Sequence, residues 1–262
     1  MIKVTQLLVY PFKSGKGMSV KQTHFDTEGM LNDRRLMAVN EDGTFITGRR
    51  SPEILHLSCT PTVSGWRLAH PNHSDNCDVN ASETGISGQI WKDTFDAVDG
   101  GDAAAEWISE VLQLKSRIVL WKPSARHSSK YNLDTSFADA APILMVSEAS
   151  MRQGCDWAGI PYDARRFRPN IVIDGVEAFA EESWQNLRIG DTEFSMLDTC
   201  TRCILTTRDP DTGEAHPDKQ PMKALMQKHT DASGQLVMGM NAKVASKIET
   251  ASISVGDEVI IL

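Results

Sequence analysis

The sequence predicts a mixed, β-dominated (α+β) protein with few helices. Short apolar and β-branched segments at residues 2–10, 35–40, 44–47 and 57–63 are separated by Gly, Pro, Asn and Asp, which is typical of strands joined by turns. The stretch Asn-Glu-Asp-Gly at 40–43 predicts a hairpin turn, because Asp-Gly tolerates the positive φ angles that a tight turn needs. Together these features indicate antiparallel sheet.

The clearest helical pattern covers residues 102–114. Trp107, Val111 and Leu114 form an apolar stripe at helical spacing, and Asp102 can cap the N-terminus. A predicted strand at 116–121 then leads into a polar stretch, residues 122–136, rich in Ser, Lys, Arg and Asn. This composition predicts a linker or a mobile flap there.

The second half predicts a further set of elements. Strands are expected at 142–146, 170–173, 187–197, 204–207 and 258–262, with helices from 147 toward 155 and at 221–229. The length of 262 residues allows one large domain or two modest ones. We expect two, covering residues 1–121 and 122–262.

Composition excludes several classes of protein. The chain has 27 Lys and Arg against 35 Asp and Glu, a net charge of −8, which argues against stable nucleic-acid binding. Its longest apolar runs, such as residues 7–10 and 259–262, fall far below the ~18 residues that a membrane span needs. The five cysteines are odd in number and mostly dispersed, as expected of free thiols in a reducing compartment. We therefore expect a cytoplasmic protein with no membrane partner.

Arginines cluster at three places despite the acidic total. The clusters are Arg34-Arg35, Arg49-Arg50, and Arg165-Arg166 with Arg168. Guanidinium groups packed this closely repel one another, so they favour a multiply charged anion such as phosphate or pyrophosphate, which arginine binds through paired hydrogen bonds. The alternative is a set of solvated strand ends paired with the many acidic side chains. Both interpretations remain open at this stage.

A glycine-flanked turn follows the first predicted strand. Residues 10–17 read Tyr-Pro-Phe-Lys-Ser-Gly-Lys-Gly, which places Lys13 and Ser14 where backbone N–H groups and a cation can meet a phosphate. The turn is not a P-loop, because both the GxxxxGK[ST] spacing and a following helix are missing.

The pair Cys200-Thr201-Arg202-Cys203 permits several interpretations. A zinc site would need two further ligands, for which Cys155, His216 and His229 are poor candidates. A thioredoxin-like redox pair would start a helix, whereas residues 204–207 predict a strand. Two alternatives remain: one thiolate ligand for a soft metal, with Arg202 holding an anionic cofactor, or two half-buried structural cysteines.

Residues 200–213, Cys-Thr-Arg-Cys-Ile-Leu-Thr-Thr-Arg-Asp-Pro-Asp-Thr-Gly, closely resemble the signature of MOSC-domain proteins of the YcbX-like and mitochondrial amidoxime-reducing-component branch. Further segments match in the same order along the chain: residues 10–14, 33–35, 142–150, 167–173 and 255–257. The resemblance therefore spans almost the whole chain. It implies an N-terminal β-barrel-like domain and a MOSC β-barrel domain with peripheral helices, with a molybdenum cofactor between them.

The resemblance also implies site residues. Cys203 would be the catalytic thiolate and the metal ligand, beside the two sulfurs of the pterin dithiolene. The residues that would hold the pterin and its phosphate are Lys13, Ser14, Arg34, Arg168, Asn170 and Arg202. One departure is Asp139-Ala140-Ala141, where the eukaryotic branch tends to carry hydroxyl residues, so only backbone contacts are expected there.

The activity that the resemblance implies is reduction of N-hydroxylated compounds such as amidoximes, hydroxylamines and N-hydroxylated bases. Longer bacterial relatives carry a ferredoxin domain with a CxxxxCxxC motif, which this sequence lacks. Electrons are therefore expected from a separate ferredoxin-like protein or flavin reductase. One rival is a non-catalytic cofactor carrier or sulfur-handling module with a persulfide on Cys203 or Cys200. Another is a phosphate-ligand binding protein without metal.

Asp209 and Asp211 are possible proton donors in the same segment. They lie in Asp-Pro-Asp-Thr-Gly, and proline and aspartate in that order favour a turn, which is the interpretation we prefer.

Overall fold

The computed structural model describes residues 1–245 and 248–262, which form twenty strands and three α-helices. In chain order the strands are β1 (Lys3–Val9), β2 (Met18–Val20), β3 (Gln22–Asp26), β4 (Gly29–Met30), β5 (Leu36–Val39), β6 (Ser58–Pro61), β7 (Trp66–Ala69), β8 (Cys77–Val79), β9 (Gly85–Ile90), β10 (Asp93–Asp99), β11 (Arg117–Leu120), β12 (His127–Ser128), β13 (Leu133–Asp134), β14 (Ile143–Ser147), β15 (Ile171–Asp174), β16 (Asn186–Ile189), β17 (Thr192–Thr201), β18 (Val237–Val244), β19 (Ser252–Ser254) and β20 (Val259–Ile261). The helices are α1 (Asp102–Leu112), α2 (Glu148–Ala158) and α3 (Met222–Lys228), with short 3₁₀ helices at Pro52–His56, Ala164–Arg166, Ala180–Ser183, Ile204–Thr207 and Ile248–Thr250. The predicted β-dominated α+β class is confirmed.

The chain divides into two compact units that alternate along the sequence. Unit A comprises Met1–Val9, Met18–Leu31 and Ala141–Leu262, and unit B comprises Tyr10–Gly17 and Asn32–Ala140. The first strand belongs to unit A because β1 pairs antiparallel with β15, with Leu7 opposite Ile171. The predicted division into domains at residues 1–121 and 122–262 stays a prediction.

Unit A is built on one eight-stranded sheet in the order β2-β1-β15-β14-β18-β17-β16-β20. The neighbours β14 and β15 run parallel, and α2 lies between them in the chain, as a parallel connection requires. The Val4 backbone N–H donates to the Asp257 carbonyl at 3.0 Å, which joins β1 to the segment just before β20. In the described parts of the chain the sheet order still has two edges, so the barrel-like sheet expected from the resemblance is open here.

The apolar core of unit A packs against one face of this sheet. Leu7, Met145, Ile171 and Phe194 are fully buried there. Phe25 and Phe194 pack edge to face with ring centroids 5.4 Å apart. The rigid sheet is what positions the end of β17, which carries the Cys200–Cys203 segment.

Unit B contains a four-stranded sheet, β5-β11-β10-β9, and a smaller sheet, β6-β7-β8. The predicted helix is present as α1, with Ile108 and Val111 buried against the core, but it ends at Leu112. The predicted cap is wrong, because Asp102 is the first helical residue and Gly101 takes the N-cap position without a side-chain cap. Gln113 takes a left-handed conformation there, and Leu114 is 46% exposed rather than part of the stripe. None of the described helices of the protein is long and apolar enough to cross a bilayer.

The hairpin turn predicted at residues 40–43 is confirmed. Asn40 Oδ1 accepts hydrogen bonds from the Asp42 and Thr44 backbone N–H groups at 3.1 and 2.9 Å, and Gly43 has a φ of 73°. A Cβ at Gly43 would also lie 2.9 Å from the Ser87 carbonyl oxygen. Glycine is therefore required by both conformation and space.

The prediction of a linker or flap at residues 122–136 is wrong. Arg126, Ser128 and Thr135 are all buried, and the short β12–β13 hairpin lies inside this stretch. Arg126 Nη2 pairs with Asp93 at 2.7 Å, and the Thr135 N–H donates to the Arg126 carbonyl at 3.1 Å. Lys122 and Lys130 are exposed, but Arg126 and Ser128 are buried and hydrogen-bonded within unit B, which fixes the stretch in place.

Candidate functional site

In unit A, the Cys200–Cys203 segment lies where β17 ends. Cys203 has an extended backbone with φ −119° and ψ 172°, and the 3₁₀ helix Ile204–Thr207 follows it. The strand predicted at 204–207 is therefore wrong. The Thr206 hydroxyl donates to the Cys203 carbonyl at 3.0 Å and the Thr207 hydroxyl to the Ile204 carbonyl at 2.7 Å. These local bonds stabilise a turn in competition with strand pairing.

Burial separates the five cysteines into two classes. Cys59, Cys77 and Cys155 are buried, and burial raises the pKa of each thiol, that of Cys59 to about 12. Cys200 and Cys203 are half-buried and reach the surface of unit A. Only a deprotonated, accessible sulfur binds a metal or acts as a nucleophile. The two cysteines of the Cys-Thr-Arg-Cys segment are therefore the ones available for chemistry.

Arg202 connects this segment to a neighbouring loop of unit A. Its Nη1 donates to Cys200 Sγ at 3.1 Å, and its Nη2 donates to the Phe167 carbonyl. Its backbone N–H donates to the Leu236 carbonyl at 2.9 Å. Arg202 is half-buried, but its Nε atom is fully buried and has no hydrogen-bond partner among the described residues. A buried N–H donor without a partner is suited to a further acceptor.

The loop that Arg202 contacts carries two other predicted site residues. Arg168 has a φ of 54° although it is not glycine, and it precedes Pro169, so its backbone conformation is unfavourable by about 1–3 kcal/mol. Asn170 is buried, with Oδ1 accepting from the Leu144 N–H at 3.1 Å and Nδ2 donating to the Leu8 carbonyl at 3.2 Å. Asn170 thus joins β1 to β14. Its contact with a cofactor stays a prediction.

The other two arginines of this cluster are paired within the protein. Arg165 binds Asp163 and Asp211, the latter through two bonds of 2.7 and 2.8 Å, and this pairing raises the pKa of Arg165. Arg166 Nη1 donates to the Arg208 carbonyl at 2.7 Å. The salt-bridged alternative weighed for the arginine clusters applies to these two residues, although they lie in the 3₁₀ helix Ala164–Arg166 and not at a strand end.

The turn expected around Asp209 is confirmed. Asp209 Oδ1 accepts hydrogen bonds from the Asp211 and Thr212 N–H groups, both at 3.0 Å. Because Asp211 pairs with Arg165 as well, both carboxylates have structural partners. Together they hold residues 209–213 against the Ala164–Arg166 helix.

In unit B, Lys13 is a buried cation. It is 4% exposed, and its Nζ donates to the Phe137 carbonyl at 2.7 Å and to Asp139 Oδ1 at 2.6 Å. Burial lowers the pKa of Lys13 from 10.5 to about 8, although the pairing with Asp139 opposes this. The unfolded chain thus binds more protons between about pH 8 and 10.5, so the contribution of Lys13 to stability rises with pH across that window.

Asp139 is a partner of Lys13 that the sequence did not predict. Desolvation of the carboxyl opposes its ionisation, although the side chain as a whole is 61% exposed. The Lys13 ammonium, its hydrogen bond and nearby Arg49 nevertheless hold the pKa of Asp139 well below its usual range. Trp91 Nε1 also donates to it at 3.1 Å. The partners are distant in sequence, and only the fold brings them together. No pattern along the chain signals that pairing.

Ser14 and Arg34 complete the predicted residues of unit B. Ser14 has a φ of 66° and Arg34 a φ of 49°, both left-handed like that of Arg168 in unit A. Arg34 forms an ion pair with Asp33 and lies over the Tyr10 ring at 4.6 Å from its centroid. Strained backbone is often found at ligand-binding positions, and three of the six predicted cofactor-holding residues have it.

Lys13, Ser14 and Arg34 belong to unit B, whereas Arg168, Asn170, Arg202 and Cys203 belong to unit A. Lys13 and Arg34 are close enough to affect each other's charge, and Arg202 contacts the residue before Arg168. That all of these residues serve one cofactor stays a prediction. In the described ranges, no group of three or more His, Cys, Asp or Glu side chains is arranged to hold a metal ion.

Comparison with known proteins covers nearly the whole chain. Residues 1–115 match the family described as MOSC N-terminal beta barrel domain, and residues 132–260 match the MOSC domain. Mitochondrial amidoxime-reducing component 1 of Mus musculus is 32% identical over 99% of this chain and 82% of that protein. The Homo sapiens protein of the same name is 30% identical with the same coverage. Mitochondrial amidoxime reducing component 2 of Bos taurus is 31% identical over 85% of this chain and 70% of that protein.

Proposed function

The chain belongs to the MOSC-domain family that includes the mitochondrial amidoxime-reducing components, and from this we propose that it is a molybdenum-cofactor-dependent reductase of N-hydroxylated compounds. Its substrates would be amidoximes, hydroxylamines and N-hydroxylated bases. The observation that carries the proposal is the half-buried Cys203 thiol at the end of β17, with the unmatched Nε donor of Arg202 one residue away.

The residues present fit this cofactor. One accessible thiol is the protein ligand that a soft metal takes when its other sulfur ligands arrive with an organic cofactor. The buried, unmatched Nε of Arg202 suits an anionic group beside that metal. When bound, the cofactor supplies two-electron redox chemistry that removes oxygen from an N–O bond.

The chain itself would bind and orient the cofactor. Cys203 would provide the thiolate, with Arg168, Asn170 and Arg202 as donors from unit A. Lys13, Ser14 and Arg34 would contribute charge and hydrogen bonds from unit B. Arginine offers paired donors to phosphate, whereas the Lys13 ammonium acts as a point charge.

The reaction consumes two electrons and two protons for each N–OH group reduced to N–H, with release of one water. The electrons would come from a separate ferredoxin-like or flavin-containing protein. The cytoplasmic location also stays a prediction, and the names of the curated relatives above place those proteins in mitochondria.

A second candidate function rests on the presence of two accessible thiols. Cys200 and Cys203 are both half-buried, as a persulfide carrier requires of its sulfur-bearing residue. In that case the purified protein would contain sulfane sulfur and would not reduce an N-hydroxylated substrate with an artificial electron donor.

The deciding experiment is metal and pterin analysis of protein freshly purified from a cofactor-competent host. We expect molybdenum and pterin in equal amounts, followed by reduction of benzamidoxime with a chemical reductant. Protein that contains no molybdenum under these conditions would contradict the proposal and favour a phosphate-ligand binding protein.

Replacing Arg168 by Ala is expected to lower cofactor occupancy. A hydrogen bond to a charged group contributes about 1.5–3 kcal/mol, so affinity should fall roughly tenfold or more. Molybdenum and pterin content after gel filtration measures this. The matched control is Arg152→Ala, an exposed arginine of α2 in unit A that pairs with Glu148. Full occupancy in the Arg168 variant would remove this residue from the cofactor-binding set.

The affinity for the cofactor is expected to fall as the pH rises through about 8, because the Lys13 ammonium loses its proton there. Lys13→Met should bind about tenfold or more weakly at pH 7, where a charge-assisted hydrogen bond is lost, and its affinity should change little up to pH 9. Pterin retention after dialysis at each pH provides the measurement, with the exposed neighbour Lys16→Met as control. An unchanged alkaline loss in the Lys13 variant would assign the effect to another group.

A further inference from the structure

Cys200, the first cysteine of the pair, accepts a hydrogen bond from Arg202, one of the predicted cofactor-binding residues. Arg202 Nη1 lies 3.1 Å from Cys200 Sγ, and Nη2 of the same guanidinium donates to the Phe167 carbonyl. One side chain therefore joins the end of β17 to the loop that carries Arg168. All of these residues belong to unit A.

The backbone at this point explains why Cys200 lies within reach. The β17–β18 pairing shifts register between Thr199 and Thr201, which leaves an irregularity at Cys200. An irregularity of this kind redirects the side chain of the affected residue. The Arg202 N–H is fixed by the Leu236 carbonyl at 2.9 Å, so both ends of the contact are anchored to the sheet.

We propose that Cys200 is a positioning residue whose sulfur, by accepting a hydrogen bond from Arg202, fixes this guanidinium and the Phe167–Arg168 loop for cofactor binding. The role in cofactor binding rests on the proposed function, whereas the contact between Cys200 and Arg202 is present in the protein without cofactor. With Nη1 and Nη2 both engaged, Arg202 keeps its buried, unmatched Nε to donate to the cofactor. Cys200 thereby acts through Arg202 and is neither a metal ligand nor a sulfur carrier.

The proposal predicts different results for two substitutions of Cys200. Cys200→Ser keeps a hydrogen-bond acceptor, whereas Cys200→Ala removes it. In the protein prepared without cofactor, hydrogen exchange at the Phe167, Arg168 and Asn170 amides should accelerate about tenfold in Cys200→Ala, as expected when a hydrogen bond to a charged group is lost. Cys200→Ser should stay within about threefold of the wild type, because its shorter side chain keeps a weaker bond.

The double variant tests whether the effect passes through Arg202. Arg202→Ala should give exchange at least as fast as Cys200→Ala, because it also removes the bond to the Phe167 carbonyl. Adding Cys200→Ala to it should produce no further change, because the bond that Cys200 makes is already absent. The control is Thr201→Ala, an exposed residue at the same strand end, which should leave exchange at these amides unchanged. Thermal melts of every variant identify any that fail to fold, and Cys200→Val then replaces Cys200→Ala as the variant without an acceptor.

Cofactor content provides the second measurement. Molybdenum and pterin occupancy should fall in Cys200→Ala and recover in Cys200→Ser. Equal losses in the two variants, additive effects in the double variant, or unchanged exchange in Cys200→Ala would each overturn the proposal. Should the wild-type protein contain no molybdenum, the proposed function fails, and the exchange result still decides whether Cys200 positions Arg202.

Discussion

Replacing Cys203 by Ser is expected to reduce benzamidoxime reduction to the level of the buffer control. The sulfur of Cys203 is the proposed metal ligand, and a hydroxyl is a much poorer ligand for a soft metal. The side chain is half-buried and accepts no structural hydrogen bond through its sulfur in the described residues. The fold should therefore persist, with a melting temperature within about 2 °C of the wild type, as for most surface substitutions.

The measurement is the initial rate with a chemical reductant, together with molybdenum content and a thermal melt. Cys200→Ser is the matched control, because it changes the neighbouring half-buried thiol in the same way and keeps an acceptor for Arg202. We expect its loss of activity to be much milder. Equal losses in the two variants would mean that Cys203 is misassigned as the metal ligand.

Replacing Gly239 by Ala is expected to destabilise the protein by about 3 kcal/mol or more. Gly239 has a φ of 76°, and a Cβ there would lie 2.5 Å from Val146 Cγ2 and 2.7 Å from the Met145 carbonyl oxygen. The change therefore adds backbone strain to a steric clash with β14. Its N–H also donates to Glu182 Oε1 at 3.2 Å, so a shift of the backbone disturbs that bond as well. The melting temperature should fall by about 6–12 °C.

Gly234→Ala separates the two causes of this loss. Gly234 has a similar φ of 79°, but nothing lies within 4 Å of the added Cβ. Only the conformational cost of about 1 kcal/mol remains, equivalent to about 2–4 °C in melting temperature. Comparable melting temperatures for the two variants would show that the close approach of β18 to β14 does not limit stability.

The elements that follow local rules could be predicted from the sequence. The turn at Asn40 depends on residues within four positions of one another, and the buried face of α1 follows from helical spacing. The helix α2 is of the same kind, since Ser147 caps it by accepting from the Ser150 N–H at 3.0 Å. In each case the determining contacts are near neighbours in the chain.

Other features depend on contacts that no local pattern contains. Residues 122–136 are polar, yet Arg126 is buried because Asp93, on a different strand, neutralises it. Residues 204–207 have strand-forming composition, but the Thr206 and Thr207 hydroxyls favour a 3₁₀ turn. Likewise, the lowered pKa of Lys13 requires the fold that buries it beside Asp139.

For the candidate site, the sequence predicts which residues hold the cofactor, but it contains no signal for the partners that those residues have in the fold. The segment around Cys203 is distinctive by itself, whereas the bond from Arg202 to the Phe167 carbonyl joins positions that are remote in sequence. Arg165 and Arg168 are neighbours in one cluster, yet the sequence does not show that Arg165 forms ion pairs with Asp163 and Asp211.

The alternation of the two units along the chain has a consequence during protein synthesis. Asn170 Nδ2 bonds to the Leu8 carbonyl across a separation of 162 residues. At roughly 5–20 residues per second, the ribosome needs about 8–32 s after β1 emerges to deliver its partner. Throughout that interval the edge of β1 that later pairs with β15 is exposed to other nascent chains, although β2 can already cover the opposite edge. We therefore expect the yield of soluble protein to depend on translation speed and on chaperone supply, and to depend less on the free energy of unfolding of the folded protein.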